Sequence, residues 1–186
     1  MHVALKALPL NPGDEVIVPA FTWVATAAMV EHCGAVPVFC DIDLATFNLA
    51  TGSLDALVRE RTVGIIPVHL FGLMADMDAV MAFAQRHQLW VLEDAACALG
   101  SLFQGKAPGT FGQAACFSFH PRKSITTGEG GMVVMNEGIL RAAAGPCATT
   151  ASRPISGKWR KLDSTIALPT SRRHWARSRW GASSRS

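Results

Sequence analysis

The chain has 186 residues, of which 49% are hydrophobic, and a formal net charge of +3. This length is enough for one domain with its own hydrophobic core. No apolar run reaches the roughly 18–20 residues of a membrane-spanning helix, and the first ten residues lack the cleavage pattern of a signal peptide. The sequence therefore excludes a membrane-spanning protein.

Short apolar runs alternate with helix-compatible segments along the first 136 residues. Segment 53–60 is predicted to be an amphipathic helix that Ser53 caps, with Leu54, Leu57 and Val58 on one face. The predicted strands lie at 13–21, 35–43, 63–70, 89–95, 114–120 and 130–136, and the predicted helices at 22–34, 53–60 and 76–88.

This alternation is typical of βα units and predicts an α/β fold, with a mostly parallel central sheet and helices on both faces. The predicted strands are continuous apolar runs, as expected when both faces of a sheet are covered. Ligands of such sheets bind outside the carboxyl ends of the strands. Asp94, Ser118 and Lys123 all lie at or just after predicted strand ends.

Five cysteines, an odd number, show neither a C-x-x-C pair nor a metal-binding spacing. They are Cys33, Cys40, Cys97, Cys116 and Cys147. We interpret them as buried free thiols of a cytoplasmic protein and expect no metal site.

The stretch "SFHPRKSITTGEGG" (118–131) places Lys123 among small and hydroxyl residues. A surface lysine needs no such setting, and a phosphate-binding lysine usually sits inside a spaced glycine loop. A third use is a covalent bond to the aldehyde of pyridoxal phosphate, with a carboxylate elsewhere that keeps the pyridine nitrogen protonated. Asp94, which ends an apolar strand, could supply that carboxylate or could be a simple helix cap or turn residue.

Five stretches in unbroken order carry a resemblance to a known family. They are "GDEVIVPAFTWVATA", "VPVFCDID", "IIPVHLFG", "EDAACALG" and "CFSFHPRKSITTGEGGM". Together they resemble the DegT/DnrJ/EryC1/StrS aminotransferases over residues 2–137. These are fold-type I enzymes that depend on pyridoxal 5'-phosphate and act mostly on keto-sugars of nucleotide sugars. The resemblance implies the large domain of such an enzyme.

The resemblance also implies roles for individual residues. Lys123 matches the Schiff-base lysine, and Asp94 matches the partner of the pyridine nitrogen. Trp23 matches the aromatic residue that stacks on the cofactor ring; otherwise it would be a core tryptophan. Ser118 matches a hydroxyl that reaches the phosphate; otherwise it is a strand-end serine. Cys97 stands where the family usually has Gln or His near the ring hydroxyl, and a thiol is a weaker hydrogen-bond donor.

His69, in "PVHLFG", follows the family pattern as well. A single histidine beside a strand end is usually a hydrogen-bonded polar group of the protein interior. We interpret His69 as structural.

The implied reaction moves an amino group from an amino acid, with glutamate as the expected donor, to a nucleotide-linked keto-sugar. Lys123 would be the covalent anchor and the general acid and base. Family members are homodimers with sites shared across the interface, so a homodimer is expected of a complete chain. Neither nucleic acid nor a membrane is expected as a partner.

The resemblance divides the chain into residues 1–137, a pyridoxal-phosphate-binding large domain, and residues 138–186, an atypical basic tail. "MHVALKAL" is similar to the helix that follows the family's phosphate-binding loop, so the N-terminal part of the domain is expected to be missing. Residues 1–137 have 7 Lys and Arg against 13 Asp and Glu, a net charge of −6. Residues 138–186 have 10 against 1, a net charge of +9.

The tail lacks a hydrophobic period, and we expect it to be poorly ordered. Its basic charge could indicate nucleic-acid or membrane binding. Our hypothesis is instead that the tail is read out of frame. Reading Pro169–Ala176 from the third base of each codon can spell Asp-Ile-Ala-Ala-Ala-Leu-Gly. That heptapeptide resembles the family's sequence after an Asn-Tyr-Arg segment that reaches the neighbouring subunit's cofactor.

Two alternatives to an active transaminase remain at this point. The chain could be a remnant that keeps part of the fold without catalysis, exposing apolar interface surface. It could also be a sugar dehydratase of the same family. Histidine replaces the lysine in those dehydratases, so Lys123 argues against that alternative.

Overall fold

One central sheet organises the protein. The computed structural model describes residues 1–138 and the strand at residues 165–168. Its strands, in spatial order, are β2-β1-β3-β4-β5-β6-β7. In chain order they are β1 (Glu15–Pro19), β2 (Val36–Cys40), β3 (Thr62–Ile65), β4 (Trp90–Asp94), β5 (Ala114–Ser118), β6 (Gly131–Met135) and β7 (Thr165–Leu168).

Strands β1 to β5 pair in parallel, whereas β6 pairs antiparallel with both β5 and β7. The helices are α1 (His2–Ala7), α2 (Ala25–His32) and α3 (Met77–His87), with short 3₁₀ helices at Thr51–Leu57 and Leu70–Gly72. The sequence-based prediction of a mostly parallel α/β sheet is confirmed.

Successive side chains along the strands belong alternately to two hydrophobic cores, one on each face of the sheet. In β1, Val16 and Val18 belong to the core that contains residues of α1 and α2, whereas Ile17 belongs to the core that contains residues of α3. The strands therefore have two apolar faces, which explains their continuous hydrophobic sequence. Helices cover both faces, as predicted.

The prediction for segment 53–60 was wrong in helix type. The structure has a 3₁₀ helix at Thr51–Leu57, and Ser53 lies inside it without capping it. The Ser53 hydroxyl instead donates to the backbone oxygen of Ala50 at 2.9 Å. The expected apolar face is real, because Leu54 is buried and Leu57 and Val58 pack against the same core.

The strand predicted at 63–70 ends early, at Ile65. Pro67 has no backbone N–H, so it cannot continue a central ladder as a donor. Its carbonyl still accepts from the backbone N–H of Asp94 at 2.9 Å. The chain therefore leaves β3 while staying attached to the end of β4.

The strand order determines where a ligand can bind. From β1 the chain runs to β2 on one side of β1, and then to β3 on the other side. The carboxyl ends of β1 and β3 thus flank a crevice at a topological switch point. Trp23 follows β1, and Asp94 and Ser118 end β4 and β5. These positions bring the segments that carry the candidate residues to one edge of the sheet.

The described part of the chain contains no helix with the length and hydrophobicity that crossing a bilayer requires.

Candidate active site

Asp94 is the last residue of β4, and only 7% of its surface is exposed. The Thr26 hydroxyl donates to Asp94 Oδ2 at 2.8 Å, and the backbone N–H of Ala96 donates to Oδ1 at 3.1 Å. Within the described residues no ion pair involves Asp94. The hydrogen-bond donors to this buried carboxylate are therefore neutral. Its negative charge can still pair with a cationic group of a ligand.

Lys123 lies on the connection between the antiparallel neighbours β5 and β6. The base of this connection is closed by hydrogen bonds from Phe119 N to Gly130 O and from Thr127 N to Phe119 O, at 2.8 and 3.1 Å. Inside it, Lys123 N donates to His120 O at 2.9 Å. The loop is tied at both ends, which restricts where the half-buried Lys123 side chain can reach.

The structure brings the predicted lysine to the turn that follows β4. Lys123 Nζ donates to Cys97 Sγ at 3.0 Å. Cys97 follows Asp94 by three residues, so one short segment carries the buried carboxylate and the contact to the lysine. Lys123 has no carboxylate partner among the ion pairs of the described residues.

Trp23 and Ser118 lie on segments that reach the same edge of the sheet as Asp94. The Trp23 residue is 75% exposed, so it is not a core tryptophan. The half-buried Ser118 accepts a hydrogen bond from the backbone N–H of His120 at 3.4 Å. Neither side chain hydrogen-bonds to Lys123 or Asp94 in the described structure. Both therefore remain predicted ligand contacts at the rim.

A buried pair behind Asp94 was not predicted from sequence as a pair. His69 Nε2 lies 3.1 Å from Glu93 Oε2, and both side chains are fully buried. His69 Nδ1 accepts from Ala75 N at 3.2 Å, so Nε2 carries the proton that it donates to Glu93. The interpretation of His69 as a structural, hydrogen-bonded residue agrees with this arrangement.

Glu93 also binds the loop before β5. Its carboxylate accepts from the backbone N–H groups of Gly109, Phe111 and Gly112 at 2.9, 3.1 and 2.8 Å. The backbone N–H of His69 donates to the carbonyl of Asp94 at 3.0 Å. The His69–Glu93 pair and these backbone hydrogen bonds thus fix the position of the end of β4.

Thr26 is a residue at the candidate site that sequence reasoning missed. It is 1% exposed, and it lies near the start of α2, opposite Asp94. The only sequence signal was a hydroxyl residue in the otherwise apolar run "VATAAMV".

Among the described residues three cysteines are buried, as expected, but the expectation is wrong for Cys97, which is exposed because it lies in the turn after β4. Burial raises the pKa of the thiols of Cys40 and Cys116. Cys97 is the exposed one, and it is also the cysteine that contacts Lys123. Cys147 lies outside the described residues.

A cavity of about 740 Å³ lies apart from this centre, and none of the candidate site residues lines it. Its acidic residues already have partners: Asp43 accepts from Ala45 N and Thr46 N, Asp76 caps α3, and Asp78 accepts from Gln104. No group of His, Cys, Asp and Glu in the described part of the chain could hold a metal ion.

These observations define what the centre can bind. Within the described residues the buried anion has no cationic partner, which fits a protonated ring nitrogen, and the amine has no acidic partner, so it can react with an aldehyde. An exposed indole beside them can cover a flat ring. The donor set thus fits pyridoxal phosphate.

Comparison with known proteins agrees with this chemistry. The model of the DegT/DnrJ/EryC1/StrS aminotransferase family matches residues 1–158, which extends past the predicted domain boundary at residue 137. The chain is 51% identical over 142 residues to the GDP-perosamine synthase of Caulobacter vibrioides, covering 76% of this chain and 38% of that protein.

Two further similarities point the same way. Over 141 residues the chain is 50% identical to the UDP-N-acetyl-3-dehydro-alpha-D-glucosamine 3-aminotransferase of Acidithiobacillus ferrooxidans, covering 75% of this chain and 38% of that protein. The crystal structure of an aminotransferase from Psychrobacter cryohalolentis superposes with a TM-score of 0.73 at 44% identity, covering 76% of this chain and 36% of the other. The chain thus spans 38% or less of the length of these three proteins.

Proposed function

The chain belongs to the DegT/DnrJ/EryC1/StrS aminotransferase family, and we propose that it forms the cofactor-binding part of a nucleotide-sugar aminotransferase. The cofactor of this family is pyridoxal 5'-phosphate. One observation carries the proposal: Lys123 reaches the turn that follows the buried carboxylate of Asp94, which has no ion-pair partner among the described residues. The names of the relatives support sugar transamination as the reaction.

When bound, the cofactor supplies an aldehyde for a covalent bond to an amine and a ring that withdraws electrons. Asp94 would hold the ring nitrogen, because its carboxylate is buried and its present donors are neutral. Trp23 would cover one ring face and exclude water from it. The Ser118 hydroxyl would donate a hydrogen bond to the phosphate. Cys97 would lie at the ring hydroxyl, where a thiol donates weakly.

Lys123 has two tasks in this proposal. Its amine would hold the cofactor through the aldehyde, and displacement by an amino donor would free it. The free Nζ would then hold and move a proton as general base and general acid. Cys97 Sγ, 3.0 Å away, is the contact that Nζ has in this structure.

The finer assignments follow from the family and the relatives' names. We propose glutamate as the amino donor and a nucleotide-linked keto-sugar as the acceptor, in the biosynthesis of surface polysaccharide. The complete enzyme would be a cytoplasmic homodimer. The division into a large domain at 1–137 and an atypical tail at 138–186 belongs to the same proposal, and most of that tail lies outside the described residues.

The test is to add pyridoxal phosphate to the purified chain, reduce with borohydride and locate the modified lysine by peptide mass spectrometry. We expect a visible absorption band and modification at Lys123. Lys123→Ala should remove both. Lys106→Ala is a matched control, because Lys106 lies over the Phe111 ring, away from the site, and the variant should keep the band.

Glutamate added to the loaded chain should then bleach the visible band, and a keto-sugar nucleotide should restore it. A folded chain without a band, or with modification spread over several lysines, would contradict the proposal. That result would support the alternative of a remnant that keeps the fold without catalysis.

A further inference from the structure

Thr26 connects two parts of the candidate site. Its hydroxyl donates to Asp94 Oδ2 at 2.8 Å, across a separation of 68 residues in sequence. Its backbone N–H donates to the carbonyl of Trp23 at 3.3 Å. The segment that carries the exposed indole is therefore attached to the buried carboxylate through one residue.

Local structure does not require this hydroxyl. Helix α2 begins after Val24 without a side-chain cap, and the Thr26 hydroxyl points to another strand instead of to its own helix. Threonine has few allowed rotamers because it is branched at Cβ, and Thr26 is 1% exposed. The hydroxyl is thus held in one place.

We propose that Thr26 is a positioning residue: it fixes the orientation of the Asp94 carboxylate toward the cofactor's ring nitrogen and sets the position of Trp23 relative to it. This inference rests on the proposed function. Oδ1 already accepts from Ala96 N, so the Thr26 bond to Oδ2 removes the remaining freedom of the carboxylate to rotate. Without it, the buried anion loses one of the two donors that hold it.

The variants are Thr26→Val, which keeps the shape and removes the hydroxyl, and Thr26→Ser, which keeps the hydroxyl. The control is Thr62→Val, which removes another buried threonine hydroxyl, one that contacts Glu15 and Arg59 at the amino end of β3, at the opposite edge of the sheet from Asp94. All are compared with the unaltered chain by the dissociation constant for pyridoxal phosphate and by the pH dependence of its absorption.

In Thr26→Val we expect the band at Lys123 to persist while the dissociation constant rises about ten-fold, the usual effect of losing a hydrogen bond to a charged group. A carboxylate that is held less firmly stabilises the positive charge of the ring nitrogen less. The ring then withdraws less electron density from the Lys123 nitrogen that is bonded to the cofactor. That nitrogen should keep its proton to higher pH, and the absorption midpoint should rise by about half a unit or more. Thr26→Ser and Thr62→Val should both stay close to the unaltered chain.

If Thr26→Val binds and titrates like the unaltered chain, Thr26 does not position Asp94 and the inference is wrong. Loss of the band from every variant and from the unaltered chain would instead overturn the proposed function. A double-mutant cycle of Thr26→Val and Asp94→Asn, measured by thermal unfolding without cofactor, separates these outcomes. Additive effects in that cycle would show that the two side chains do not interact, whatever the cofactor does.

Discussion

The side-chain nitrogen of Lys123 lies 3.0 Å from the sulfur of Cys97. Cys97 is exposed, whereas Cys33, Cys40 and Cys116 are buried. Because alkylating reagents attack accessible thiolates, we expect iodoacetamide at neutral pH to modify Cys97 about ten-fold faster or more than the three buried cysteines. Peptide mass spectrometry over a time course measures each site separately.

The cofactor is the control for this labelling. Prior loading with pyridoxal phosphate should slow modification of Cys97, because the ring would then occupy the space beside it. Lys123→Ala should lose that protection while the free chain still reacts at Cys97. Equal rates at Cys97 and Cys116 would contradict the described burial.

Glu93→Gln should strongly destabilise the fold. The carboxylate is fully buried and accepts from His69 and from three backbone N–H groups. An amide replaces one acceptor oxygen with a donor that would face those donors, so the expected loss is about 2–4 kcal/mol in the free energy of unfolding. Urea unfolding measures it, with the exposed Glu31→Gln as control. A loss in Glu93→Gln no larger than in Glu31→Gln would contradict the buried network.

Gly64→Ala tests the packing of the sheet centre. A Cβ at Gly64 would overlap ring atoms of Trp90, whose indole is buried and donates to Pro9 O at 3.2 Å. The ring cannot move without losing that bond, so we expect a loss of about 1–3 kcal/mol from overpacking. Gly52→Ala is the matched control, since nothing lies within 4 Å of the added Cβ. Equal stability of the two variants would mean that Trp90 does not cover Gly64.

The pH dependence of stability has an identified contributor at the surface. Hydrogen bonds from His87 and then from Arg86 lower the pKa of the exposed Asp55 below its ordinary value. A lowered folded-state pKa stabilises the fold above the unfolded pKa, and this contribution disappears as pH falls through the folded value.

Asp55→Asn should therefore be slightly less stable than the unaltered chain at pH 6, and the difference should vanish once the pH falls below the folded-state pKa of Asp55. Urea unfolding across this range measures the difference, and the exposed Glu60→Gln provides the comparison. A difference that grows as the pH falls would have the wrong sign.

The coding DNA tests the hypothesis of an out-of-frame tail at single bases. Read from the third base, the codons of Ser164–Ala167 can spell Asn-Tyr-Arg, the segment expected before the heptapeptide at Pro169–Ala176. This requires codons that end in A for Ser164, in T for Thr165 and in C for Ile166. Any other base at these positions contradicts the hypothesis. Agreement would explain the +9 charge of residues 138–186 without a nucleic-acid partner.

The sequence predicted the strands of the sheet, but it did not predict the side-chain hydrogen bonds of the protein. Apolar runs and their boundaries locate strands because burial on both faces needs continuous hydrophobic sequence. The 3₁₀ helix at Thr51–Leu57 was taken for an α-helix, since both geometries bring Leu54 and Leu57 toward the core and differ mainly in backbone bonding.

For the site, the motifs located Asp94 and Lys123 but not the residues that hold them. The partners of Thr26 and Glu93 lie 68 and 24 residues away in sequence, and only the folded sheet brings them together. Local patterns carry no information about such distant pairs, whereas a strand-end acid and a lysine among glycines can be recognised locally.

The spatial order of the strands also bears on how the protein folds during synthesis. From β4 onward each strand is added beside the one made just before it, whereas β3 pairs with β1 on the side opposite β2. The sheet can therefore grow at one edge as the chain leaves the ribosome, with little rearrangement of earlier strands. Trp23, Thr26 and Asp94 emerge early, whereas Lys123 takes its place only when β6 docks on β5. A nascent chain would thus hold the carboxylate and its threonine before the Lys123 amine is in place.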